Sequence, residues 1–307
     1  MTKAALIFPG QGSQRVGMGQ EFYESSAEAR EIFASADRIL NNNLTDVIFN
    51  GPAEKLTRTA YCQPAILTFS VAAYKVFAAH PKFKNVTVQF TAGLSLGEYS
   101  ALIAAGALSF EAGLELVERR SFFMDEACRL SAGKMAAIIG FDKQKLLAIC
   151  QETGAEVANF NSSEQIVITG HGAKVEAACQ MIRESGAKAV IPLEVSGAFH
   201  SSLMRPAVLK FEQALKNIQF QDPRVPVVCN VSGQPVTEAG AIPKSLAQQI
   251  TSSVQWVDSI EYMARQGVDH FIEIGPGKVL KGLIRKINPT LKVFNIETPQ
   301  DLESLAV

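Results

Sequence analysis

The segment Gly93-Leu94-Ser95-Leu96-Gly97 constrains the fold of this chain more than any other. It reads G-x-S-x-G and stands between the strand-like run Val86-Thr87-Val88-Gln89-Phe90-Thr91-Ala92 and the helix-like run Glu98-Tyr99-Ser100-Ala101-Leu102-Ile103-Ala104-Ala105. In that setting the motif is a nucleophile elbow. A buried strand turns sharply into a helix, and the serine hydroxyl is projected above the helix N-terminus. The flanking glycines suit a backbone too tight for side chains. The competing reading is a chance match on a small-residue turn; the strand–turn–helix context weighs against it.

Around the elbow, strand-like and helix-like segments alternate, which predicts an α/β fold with a mostly parallel sheet. Ala4–Phe8 reads as the first buried strand and leads into Pro9-Gly10-Gln11-Gly12-Ser13-Gln14. Helical spacing covers Ala27–Leu40, and Pro64 is expected to open a helix through Ala79. From about Arg129 to Val195 the order becomes β-α-β-β-α-β: Met135–Gly140, a helix capped by Asp142, Val157–Asn161, Gln165–Thr169, Ala173–Ser185 and Ala189–Leu193. That order is the one found in ferredoxin-like units. The predicted organisation is therefore a large α/β domain over 1–128 and 197–307 with a small ferredoxin-like insert over 129–196. After the insert a helix is expected over Ser201–Ile218, with Pro206 a break, and a strand over Val225–Asn230. Helices follow over Lys244–Ser252 and Val257–Gln266, then a strand over Val268–Ile274, a helix over Lys278–Ile287 and a strand over Lys292–Ile296.

An elbow serine needs a base. Of the four histidines, His80, His171 and His270 read as surface, turn and strand positions. His200 lies in Val195-Ser196-Gly197-Ala198-Phe199-His200-Ser201, where the chain leaves the predicted insert. Interdomain clefts are favoured ligand sites, so His200 is the candidate base; without the elbow it would read as structural or capping. The five cysteines are odd in number and scattered, with no C-x-x-C. They fit buried thiols in a reducing compartment rather than disulfides, a metal site or catalysis. Two glycine turns, the one after Phe8 and Gly275-Pro276-Gly277-Lys278, could offer backbone N–H groups to an anion. Neither has P-loop spacing, and the first is better placed to complete an oxyanion hole. The net charge of −1 implies no nucleic-acid or membrane electrostatics. No apolar run approaches the roughly 20 residues of a membrane span, and the N-terminus has no signal-peptide pattern. A cytoplasmic location is the expectation.

Taken in order, Phe8-Pro9-Gly10-Gln11-Gly12-Ser13-Gln14, Gln63-Pro64-Ala65, Gly93-Leu94-Ser95-Leu96-Gly97-Glu98-Tyr99, Val117-Glu118-Arg119-Arg120, Gly197-Ala198-Phe199-His200-Ser201 and Gly275-Pro276-Gly277-Lys278 form a specific set. With this set the chain resembles, over essentially its whole length, the malonyl-CoA:acyl carrier protein transacylases of bacterial type II fatty acid synthesis. The resemblance implies a hydrolase-like large domain with a ferredoxin-like insert. It implies Ser95 as nucleophile, His200 as its base with no carboxylate third member, and a backbone carbonyl near Gln255 orienting the histidine. Gln11 and Leu96 would supply the oxyanion-hole N–H groups, and Arg120 would grip the free carboxylate of malonyl, with Arg119 facing away. Phe199 would restrict the space beside the acyl α-carbon. The chain departs from the family at Leu94, where histidine is frequent; because the hole uses backbone groups, the change bears on acyl preference and hydrolysis rather than on catalysis.

The implied reaction passes malonyl from malonyl-CoA to Ser95 and on to the phosphopantetheine thiol of acyl carrier protein, with no metal or cofactor. A polyketide-associated malonyltransferase and an acyl-thioester hydrolase are the enzymatic rivals, and a non-catalytic carrier-binding module is the rival of another class. Carrier proteins of this type are usually acidic, so Lys188, Arg285 and Lys286 are expected to form a docking patch. The competing reading is three unrelated solvated charges.

Overall fold

The computed structural model describes residues 3–84 and 86–305. Met1, Thr2, Asn85, Ala306 and Val307 lie outside the described residues, so the outer limits of the predicted domains do too. The strands, in chain order, are β1 Lys3–Phe8, β2 Thr87–Gly93, β3 Gly133–Ile139, β4 Glu156–Ser162, β5 Gln165–His171, β6 Ala189–Pro192, β7 Val227–Val228, β8 Pro235–Val236, β9 His270–Ile274 and β10 Lys292–Ile296. They form two sheets, one ordered β10-β9-β1-β2-β7-β8 and one ordered β4-β5-β3-β6. The first is parallel from β10 to β7, with only β8 reversed. The second is antiparallel throughout. The fold is α/β around a largely parallel sheet, as the alternation predicts.

The apolar run of β1 follows from its place in the middle of the large sheet. Ala4, Leu6 and Phe8 enter the main core, while Ala5 and Ile7 enter a second core on the other face, against Trp256, Ile260 and Leu280. A strand covered on both faces reads as continuous rather than alternating. The small sheet divides its residues differently. Ala136, Ile138, Ile166 and Ile168 pack on its own two helices, whereas Met135, Ala137, Ala158 and Val167 join the main core. The back of the small sheet thus packs into the main core. Pairing of Asn159 with Val254 and hydrogen bonds between Val254 and both Ala158 and Phe160 tie the two sheets' surroundings together.

Several local readings are corrected. The helix expected to begin at Pro64 runs from Thr59 to Ala79 with Pro64 inside it. A proline removes one helix hydrogen bond, but burial of most of this helix holds it in place. At 21 residues the helix is also long and apolar enough to cross a membrane, contrary to the expectation that no run is. Within the protein 72% of its apolar window is buried, and it serves as a core helix. Ser201–Ile218 is not one helix. A 3-10 turn, Ser202–Met204, precedes the helix Arg205–Leu215, and Pro206 sits in its first turn, where a missing N–H costs nothing. The strand expected over Val225–Asn230 shrinks to Val227–Val228, which leaves Asn230 in a loop. Short helices at Gln20–Ser25, Leu44–Asn50 and Ala53–Thr57 carry no strong periodicity and are not anticipated.

Candidate active site

The elbow is held by sterics. A Cβ on Gly93 would lie 2.0 Å from the Gly97 carbonyl carbon, and one on Gly97 would lie 2.1 Å from the Phe8 carbonyl oxygen. Only glycine lets β1, β2 and the Gly97–Ala104 helix meet this closely. The cost of the turn falls on Ser95, whose φ of 52° is left-handed; His200 has φ 57°. Among the described residues only one other non-glycine residue, the helix C-cap Asn41, has positive φ. Strain of this kind, about 1–3 kcal/mol per residue, concentrates at functional sites.

Ser95 and His200 meet as the sequence predicts: Ser95 Oγ lies 2.8 Å from His200 Nε2. On its other side the imidazole Nδ1 lies 2.9 Å from the carbonyl oxygen of Gln249. A carbonyl only accepts, so the proton sits on Nδ1 and Nε2 is free to take the serine proton. His200 is 5% exposed. Burial, and then the nearby Arg120 charge, pull its pKa down to about 4, so the ring is neutral near pH 7. The Gln255 expectation is overturned. The Gln255 carbonyl is committed to the helix it starts, accepting from the N–H and the hydroxyl of Ser259, and the orienting carbonyl is that of Gln249.

Arg120 comes from the middle of the Phe110–Leu130 helix, which Ser109 caps by accepting from the Ala112 N–H. It is only 1% exposed, while Arg119 points outward. Arg120 donates through Nη1 to Gln63 Oε1 at 2.6 Å, and through Nη2 to Gln249 Oε1 and Ser95 Oγ, both at 3.1 Å. Its Nε has no partner among the described residues. A guanidinium this deep, with neutral oxygens around it and no carboxylate in salt-bridge contact among the described residues, has the chemistry to accept an incoming anion.

The backbone N–H groups divide into used and unused. Ser95 N–H is taken by Asn230 Oδ1 at 2.5 Å. Gln11 and Leu96 N–H groups have no acceptor among the described residues, and both residues line a cavity of about 190 Å³ over Ser95. The same cavity is walled by Leu94, Arg120, Phe199, His200 and, from the back of the small sheet, Met135, Asn159 and Val167. The Gly275-Pro276-Gly277-Lys278 turn is not an anion site. Glu273 fills the helix start behind it, accepting from Leu280 and Lys281 N–H, and Glu297 takes the Gly277 N–H. Burial of Glu273 raises its pKa to about 7. The five cysteines are buried and free; burial lifts Cys62 to about 12 and Cys128 to about 11. His80, His171 and His270 serve a helix boundary, a strand end and a ring stack on Phe294. Lys188, Arg285 and Lys286 are all exposed. Lys286 pairs with Glu164 at 3.6 Å, and Lys188 packs beside Gly140, whose N–H binds the Glu164 carbonyl.

The model of the acyl transferase domain family matches residues 5–297. The chain belongs to this acyl transferase family. It is 46% identical over 308 residues to the malonyl CoA-acyl carrier protein transacylase of Bacillus subtilis (strain 168), covering 99% of this chain and 96% of the relative. The acyl-carrier-protein-S-malonyltransferase structure from Bartonella henselae superposes with a TM-score of 0.94 at 40% identity, covering 99% of this chain and 98% of the other. A malonyl-transacylase solved in complex with a type II polyketide acyl carrier protein gives a TM-score of 0.95 at 37% identity, with coverage of 99% and 98%.

Sequence reasoning missed part of this acyl transferase site. Asn230 and Gln249 make six of the hydrogen bonds around Ser95, His200 and Arg120. Neither lies in a motif, and both come from loop or helix-end positions with no local signal. Gln63 and Glu98 do stand inside quoted motifs, Gln63-Pro64-Ala65 and the residue just after the elbow, but nothing in their spacing marks a role.

Proposed function

We propose that this chain is an [acyl-carrier-protein] S-malonyltransferase. It moves malonyl from malonyl-CoA to Ser95 and then to the phosphopantetheine thiol of acyl carrier protein, in fatty acid synthesis. The observation that carries this reading is the placement of a buried guanidinium 3.1 Å from the Ser95 hydroxyl, beside a base 2.8 Å from the same oxygen. An acyl group held on Ser95 would have its tail within reach of Arg120, and malonyl ends in the carboxylate that guanidinium binds best, through two parallel hydrogen bonds.

In the first half-reaction Ser95 Oγ attacks the thioester carbonyl as His200 Nε2 takes the hydroxyl proton. The oxyanion forms against the Gln11 and Leu96 N–H groups; losing one such donor typically costs about a hundred- to a thousandfold in rate. Collapse breaks the C–S bond, His200 returns the proton to the departing CoA sulfur, and a malonyl ester is left on Ser95. In the second half the carrier's thiol loses its proton to His200, attacks the ester, and Ser95 recovers the proton as its C–O bond breaks. The reaction calls on no metal or cofactor. Phe199, in the cavity wall, limits substituents at the acyl α-carbon. Lys188, Arg285 and Lys286 are the proposed steering charges for the carrier.

The frame of this reading is a hydrolase-like large domain over 1–128 and 197–307 with a ferredoxin-like insert over 129–196. The β-α-β-β-α-β order of β3 to β6 supports it. A cytoplasmic location belongs to the same reading. Transfer to a polyketide carrier is the second reading, favoured by the likeness to the polyketide-type complex; comparing transfer rates to fatty-acid and polyketide carriers separates the two. The central test is intact mass after mixing with malonyl-CoA. The parent should gain one malonyl and Ser95→Ala none; labelling of the variant elsewhere, or no labelling of the parent, overturns the proposal.

A further inference from the structure

The side chain of Gln249 can be oriented in only one way. Its Oε1 faces Arg120 Nη2 at 3.1 Å, and its Nε2 faces Glu98 Oε2 at 2.9 Å and the Ser95 carbonyl at 3.0 Å. Arginine only donates, and the Ser95 carbonyl only accepts. A flipped amide would set N–H against N–H at Arg120 and oxygen against oxygen at Glu98. The same Oε2 of Glu98 also accepts the Asn230 N–H at 2.9 Å. Asn230 in turn holds the elbow from both sides, through the Ser95 N–H at 2.5 Å and the Gly93 carbonyl at 2.7 Å. One carboxyl oxygen therefore anchors two amide side-chain residues: Gln249, which places His200 and Arg120, and Asn230, which places Ser95.

The Glu98 carboxyl touches neither the Ser95 hydroxyl nor the His200 ring. It is 1% exposed, on the first turn of the helix that the elbow starts. Oε2 accepts from both partners whether or not a proton sits on Oε1, so the anchoring depends on the oxygen's position and not on its charge.

We infer that Glu98 is a positioning residue that fixes the Gln249 amide and so tunes Arg120 for an acyl carboxylate. This inference rests on the reading of Ser95, His200 and Arg120 as the malonyl-loading site. An apolar side chain of similar size would leave two donors facing hydrocarbon and remove one of the three contacts that hold the Gln249 amide. The acceptor facing the guanidinium would be held less firmly, while acyl groups that do not use Arg120 would lose only the shared effect on Ser95 and His200. The ratio of malonyl to acetyl loading is thus the readout that a merely structural role would not move.

The experiment measures kcat/KM for malonyl and for acetyl loading from their CoA thioesters, with thermal melts, in the parent and variants. Glu98→Met should lower the malonyl-to-acetyl ratio by about ten- to a hundredfold. Glu98→Gln, which returns an oxygen to the Oε2 position, should keep the ratio within about threefold of the parent. If Glu98→Met does not melt cooperatively, Glu98→Asp takes its place: its carboxylate is one methylene too short to serve both donors, and the same fall is expected. A parent that loads malonyl on Ser95 alongside a Met or Asp variant of unchanged ratio overturns the role of Glu98 alone. A Gln variant that loses as much as the apolar one overturns it equally. A parent that loads no malonyl overturns the underlying reading and this inference with it.

Discussion

Two regions deliver the groups of the proposed site, and they are built by different physics. The elbow around Ser95 is one continuous segment, shaped by close approach of backbones that tolerate no Cβ at Gly93 or Gly97. The cluster around His200 and Arg120 draws on segments far apart in the chain. Arg120 comes from a long helix, Gln63 from another, Gln249 from a helix end and His200 from the loop leaving the small unit, and hydrogen bonds join them. Steric fit is all or none, whereas a network can lose one member and keep the rest. The elbow should therefore fail as structure, and the network as selectivity.

The largest expected effect is at Gly97→Ala. The new methyl would meet the Phe8 carbonyl at 2.1 Å, and neither partner is a flexible side chain. A loss of at least about 3 kcal/mol, at the upper end of overpacking costs, should appear as a large drop in melting temperature. A variant that melts and loads malonyl like the parent would break the contrast between the two regions.

Arg120→Ala tests the other half. It should cost malonyl loading about 2–5 kcal/mol, the usual penalty for breaking a buried hydrogen-bonded charge pair, while acetyl loading persists or rises. Equal losses for both acyl groups would make Arg120 a structural member of the network. Phe199→Ser sharpens the comparison further, because it changes cavity shape and leaves the polar groups in place. One methyl group is worth about 1–3 kcal/mol in a pocket, so the methylmalonyl-to-malonyl ratio of kcat/KM should rise modestly; no change would remove Phe199 from the selectivity account. The smallest effect is expected at the rim. Reversing the charges of Lys188, Arg285 and Lys286 should slow transfer to the carrier and flatten its salt dependence without affecting Ser95 loading. Parental kcat/KM for the carrier at low salt would dismiss the patch.

The same division governs what could be read in the sequence. Ser95, its flanking glycines and the strand before them form a local pattern whose geometry follows from sterics within a few residues. His200 was legible because it lies where the periodicity changes back. The orienting carbonyl was not legible: Gln249 and Gln255 are both helix-boundary residues a few positions apart. Which of them faces the imidazole depends on where tertiary packing sets the end of the Ile242–Gln249 helix.

Pattern alone determined the elbow, the alternation that makes the sheet parallel, and the β-α-β-β-α-β order of the small unit, because each depends on residues close in the chain. Tertiary structure alone decided that Asn230 would take the Ser95 N–H and leave the Gln11 and Leu96 groups free. It decided as well that Glu98 and Gln249 would fix the arginine, and that the back of the small sheet would wall the cavity. The hydrogen bonds among Ser95, Glu98, Asn230 and Gln249 that cross the fold join residues more than a hundred positions apart. A hydrogen bond between such distant partners leaves no periodicity in the sequence, and it exists only once packing has brought them together.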